Sequence, residues 1–133
     1  MLELLVWHTI RKAMAGHLGA RQVANVAYGA ANSGSSKSLG PLFIALARAA
    51  ERRVSDFKPQ NLANTAWAFA TLGQSDAPLF AALARAAERR MGDLKPQELA
   101  NTAWAFARAA LWDAAFFSVL ARAAERRAGE FSP

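Results

Sequence analysis

Three copies of one octapeptide, LARAAERR at Leu46–Arg53, Leu83–Arg90 and Leu120–Arg127, hold nine of the chain's arginines. A guanidinium is permanently charged and donates in a planar fork, so its chemistry is the binding of phosphate or carboxylate, not proton transfer. Each copy sets three arginines against one glutamate (Glu51, Glu88 or Glu125), more positive charge than local pairing requires, and the formal net charge is +6. A spacing of 37 residues would stack Arg48, Arg85 and Arg122 in one column and Arg52, Arg89 and Arg126 in another, a ladder suited to a phosphate backbone. The alternative is a solvated helix face with local ion pairs.

The groups that most enzymes use are sparse. His8 and His17 are the only histidines and cysteine is absent, with no metal-ligand spacing, nucleophile elbow or phosphate loop. Asp56, Asp76, Asp93 and Asp113 fall at expected helix boundaries, where a cap explains a carboxylate better than acid–base chemistry. The sequence therefore reads as a non-enzyme that needs no metal or cofactor. The lack of cysteine also removes disulfides and fits a reducing compartment.

The elements that must position the arginines are written in a second motif. KPQNLANTAWAFA at Lys58–Ala70 returns as KPQELANTAWAFA at Lys95–Ala107 with a single change. Pro59 and Pro96, Asn64 and Asn101, and Trp67 and Trp104 are each 37 residues apart. A degenerate copy, RQVANVAYGAANSG, sets Ala24, Asn25 and Tyr28 39 residues before Ala63, Asn64 and Trp67; the extra residues fall in the serine-rich stretch NSGSSKSLG. A period of this length predicts stacked helical hairpins, because one hairpin cannot bury its own apolar faces. The expected fold is all-α: an α-solenoid with a divergent helix over 1–18 and repeats at about 19–57, 58–94 and 95–131. The array reads as a piece of a longer one, since it opens with the apolar MLELLVW and stops at Phe131-Ser132-Pro133, where another PQ helix would begin.

Within a repeat, Pro59 and Pro96 suit a first helical turn, Gly73 an end, and Asp76 before Ala77-Pro78 the N-cap of a second helix. Leu62, Ala66 and Phe69 with Ala63, Trp67 and Ala70 form adjacent apolar stripes, which assigns Trp67 and Trp104 to packing between repeats. Asparagine is a poor interior helix residue, so Asn25, Asn64 and Asn101 are read as bonding the neighbouring hairpin's backbone and fixing its register, with an RNA contact as the alternative. The less apolar face carries Asn61, Thr65, Ala68 and Thr71 in one copy and Glu98, Thr102, Ala105 and Arg108 in the next. Asn61 becomes Glu98 and Thr71 becomes Arg108 between otherwise similar copies, so this face is expected to be the binding surface, and Asn61, Thr65, Thr71, Glu98, Thr102 and Arg108 would be base-facing if the ligand is a nucleic acid read one base per hairpin. Trp112 takes the place of Ser75 and reads as an end cover or a contact residue.

The PQELANTAWAFA stretch, its period and the hairpin layout resemble the octotricopeptide repeats of organelle RNA-maturation and translation factors. They also resemble the related helical repeats that precede RAP domains in FAST-kinase-like mitochondrial proteins. The likeness runs over nearly the whole chain, although the second helices depart from it by being rich in alanine and arginine, and the sequence holds no RAP domain. The resemblance implies single-stranded RNA as partner, in RNA processing, stability or translation inside a mitochondrion or plastid, with further repeats or a RAP-type domain of a longer chain as neighbours. The competing class is a protein-binding α-solenoid scaffold without nucleic acid. No apolar run reaches the roughly 20 residues of a membrane span, so no membrane is expected and the chain reads as soluble. The basic, amphipathic start contains Glu3 and lacks serine enrichment, and so reads as a plain helix before a transit peptide.

Overall fold

The computed structural model describes residues 2–33, 40–74, 76–109, 114–127 and 129. They form α1 (Leu2–Met14), α2 (Ala20–Ser33), α3 (Gly40–Arg53), α4 (Pro59–Thr71), α5 (Ala77–Arg89), α6 (Pro96–Arg108) and α7 (Ala114–Arg126). Short 3-10 turns, Val54–Asp56 and Met91–Asp93, follow α3 and α5, and no described residue lies in a strand. No described helix is long and apolar enough to cross a membrane.

The helix ends follow from local chemistry. Pro59 and Pro96 occupy first turns, where their missing N–H costs no helical bond. The third helical residue then reaches back: Asn61 Oδ1 accepts from the Lys58 N–H at 3.0 Å, and Glu98 Oε1 from the Lys95 N–H at 2.8 Å. Gln22 does the same for the Gly19 N–H at 2.8 Å. Asp76 caps α5 by accepting from the Leu79 N–H at 3.0 Å. Gly73, at φ 69°, ends α4 with paired bonds from its own N–H to the Ala70 carbonyl and from the Gln74 N–H to the Phe69 carbonyl.

The helices form two rows. Helices α2, α4 and α6 pack side by side in one; α1, α3, α5 and α7 succeed one another in the second; α2–α3, α4–α5 and α6–α7 contacts join them. Packing recurs at the sequence period. Phe43 meets Phe69 edge-on with centroids 4.9 Å apart, and Phe80 meets Phe106 in the same way at 5.0 Å. The last arginine of each octapeptide reaches back to a carbonyl beyond the preceding second-row helix. Arg53 donates to Gly16 at 2.9 Å, Arg90 to Phe57, and Arg127 to Met91 at 3.2 Å. These bonds tie successive second-row helices together through backbone groups that water would otherwise satisfy.

Candidate nucleic-acid interface

The two arginine columns divide. Arg48 pairs with Glu51 at 3.0 Å and with Asp76, and Arg52 donates to the Ala13 carbonyl at 2.8 Å. Both side chains thus make contacts within the fold while staying partly open to solvent, unlike the free ladder expected of them. Arg85 and Arg89 of α5 and Arg122 and Arg126 of α7 are exposed and have no partner among the described residues. Stacking does bring α5 against α7, so these four arginines share one surface of the second row.

The expected base-facing residues do not form one open face. Thr65 is 0% exposed and Thr102 is buried with its hydroxyl donating to the Glu98 carbonyl at 2.7 Å. Ala68 and Ala105 are buried as well. This flank is buried on α6 as well as on α4, and α6 is the last first-row helix described, so the flank is turned towards the preceding first-row helix. Asn61 and Glu98 are caps, as described above, so their difference exchanges one acceptor for another at a helix start. Thr71 is half-buried with its hydroxyl enclosed and unbonded, whereas Arg108 is exposed, its guanidinium 6.0 Å from the Trp104 ring centre.

What the first row does expose is a different stripe. On α4 it consists of Gln60, Asn64, Trp67 and Thr71, at helical spacing i, i+4, i+7 and i+11, while the remaining residues beyond the first turn are buried. Its counterparts are Arg21, Asn25, Tyr28 and Asn32 on α2, and Gln97, Asn101, Trp104 and Arg108 on α6. Three asparagines and three aromatic rings thus run across adjacent helices in register. Tyr28 is 39% and Trp104 46% exposed, and the Tyr28 and Trp67 rings lie 5.1 Å apart at 36°. None of the three asparagine amides makes a hydrogen bond to another described group. Trp67 does pack against the core with one side, but the aromatic column as a whole borders solvent.

The charges beside this stripe favour an anion. Arg21, Lys58, Lys95 and Arg108 are exposed around it, and Glu98 at the start of α6 is engaged as a cap. The sequence signal for this face was present in the alternation of amides, rings and threonine at one helical angle. It was obscured because tryptophan at an invariant position reads first as packing. Trp112 and Asp113 lie outside the described residues, as do Phe131, Ser132 and Pro133. Among the described residues no group of three or more His, Asp or Glu side chains is arranged to hold a metal. No family model, no curated protein and no solved structure matches this chain.

Proposed function

We propose that the chain is an α-solenoid of 37-residue hairpins that binds single-stranded RNA on the outer face of its first-helix row. The observation that carries this reading is the column of Tyr28, Trp67 and Trp104 beside the unbonded amides of Asn25, Asn64 and Asn101. Exposed rings offer stacking faces to unpaired bases, and an amide offers a donor and an acceptor to a base edge. Arg21, Lys58, Lys95 and Arg108 supply the phosphate attraction at that face. The resemblance to octotricopeptide repeats supports the same partner and an organelle as its setting, with RNA processing or translation as the process. Arg85, Arg89, Arg122 and Arg126 stand on the second-row helices α5 and α7 and have no part in this grip.

The test is a titration with a fluorescent single-stranded RNA at several salt concentrations, repeated with Trp104→Ala. Affinity should fall steeply with salt, and the variant should lose roughly fivefold to a hundredfold, the range for one base–aromatic stack. Absence of binding at low salt, or an affinity indifferent to Trp104→Ala, would overturn the reading.

A further inference from the structure

The outer face of the second row carries an irregularity that the repeat does not require. Pro41–Arg53 of α3 and Pro78–Arg90 of α5 agree at every position except one, where Ile44 stands opposite Ala81. The odd position is on the surface: Ile44 is 63% exposed, and Ala81 is exposed too. Alanine in that slot serves the fold and is the better helix former, and the larger side chain stays mostly uncovered within this chain. Beside it Met14 of α1 is 71% exposed, and with Ile10 and Pro41 these residues line an open apolar concavity of about 430 Å³ between α1 and α3. The arginines at its rim, Arg48 and Arg52, are already engaged internally. The next ones along the same row are Arg85, Arg89, Arg122 and Arg126, which have no partner among the described residues. On α5 and α7 only Glu88 and Glu125 oppose them.

We propose that this face docks an acidic segment of a partner protein, with one aliphatic or aromatic anchor seated between Met14 and Ile44 and its carboxylates laid against the four arginines. The anchor supplies apolar burial in a methionine-lined seat that adapts to shape, and guanidinium forks take carboxylates in bidentate fashion. Charge complementarity selects an acidic partner over a neutral or basic one. The site is built on the second row, whereas the aromatic and asparagine columns are on the first. It does not depend on RNA binding there, and both faces can be occupied together.

The experiment uses the full chain and three short labelled peptides: a Phe-Leu anchor flanked by glutamates, the same anchor flanked by lysines, and the glutamate peptide with glycines in place of the anchor. The first should bind saturably and the other two should not. Ile44→Ala installs the residue that α5 already carries, so the fold is kept, and it should weaken binding about tenfold. Arg85→Gln combined with Arg122→Gln should weaken it as well. Failure of the first peptide to bind, equal binding by the lysine-flanked peptide, or indifference to Ile44→Ala overturns the proposal. An excess of single-stranded RNA should leave the peptide bound; displacement would mean that these arginines hold phosphate, and would overturn it too. Loss of RNA binding in Trp104→Ala with peptide binding intact would separate the two faces.

Discussion

The two outer faces of this molecule are built by one sequence period, yet repetition means different things on them. On the first row some unvarying residues reach the surface, Asn64, Asn101 and Trp67 half-buried and Trp104 exposed. On the second row an unvarying arginine is occupied internally in every copy, since Arg53, Arg90 and Arg127 all bond the preceding segment. Between α3 and α5 the departure from the repeat is a single exchange, Ile44 for Ala81, and α7 carries the exposed Ser118 in the same slot. Constancy across copies therefore does not separate structural from functional residues; the partner that each side chain meets does. Thr65 and Thr102 are as constant as the asparagines and are buried.

The comparison breaks first if the rows share no common core. Phe80 of α5 meets Phe106 of α6, linking a second-row helix to the first-row helix that follows it. Phe80→Ala should cost about 3–5 kcal/mol through lost burial and a residual cavity. Urea unfolding followed by circular dichroism should record it, with the two faces failing together in one transition. A loss under about 1 kcal/mol would mean that these rings do not join the rows.

A smaller effect tests arginines within one octapeptide. Arg90 donates to the buried Phe57 segment, whereas Arg85, five residues earlier, is exposed and unpartnered among the described residues. Arg90→Ala should lower stability by about 1–3 kcal/mol, because a charged donor is lost and a carbonyl is left to find water. Arg85→Ala should stay within about 0.5 kcal/mol, as surface substitutions usually do. The opposite ranking in thermal melts would show that the staples are not where the second row gets its order.

Much of this fold is legible in the sequence, and the reason is punctuation. Pro59, Pro96, Gly73 and Asp76 each have a local backbone task that needs no knowledge of distant contacts, and each performs it. The candidate site was less legible because helix faces are assigned by guessing which neighbour covers them. Asn61, Thr65 and Thr71 look like one polar stripe on paper. In the two-row packing Thr65 turns into the flank between first-row helices, and Asn61 folds back onto its own helix start. Trp67 does pack on the core and meets Tyr28 of the preceding first-row helix, as packing between repeats requires, whereas Trp104, on the last first-row helix described, is 46% exposed. Likewise, nothing in three identical octapeptides announces that Arg48 will find Asp76 in the following hairpin while Arg85 meets no partner among the described residues.

The finest distinction lies within α4, between two asparagines three residues apart. Asn61 accepts from the Lys58 N–H, so Asn61→Ala should remove a cap and cost roughly 1 kcal/mol while leaving RNA affinity where it was. Asn64 makes no such bond and stands in the exposed stripe. Asn64→Ala removes a side chain that competes for backbone hydrogen bonds and substitutes the best helix former, so its stability change should stay within about 0.5 kcal/mol and lean towards stabilisation. Its RNA affinity should nevertheless fall by about fivefold, the worth of one ordinary hydrogen bond. Melting curves and RNA titrations on the two variants side by side give four values. If Asn64→Ala lowers stability by 1 kcal/mol or more, its amide is holding a neighbouring hairpin after all. If Asn61→Ala weakens RNA without loosening the helix, the reading of that position as a cap falls, and the base-facing surface moves back to the flank.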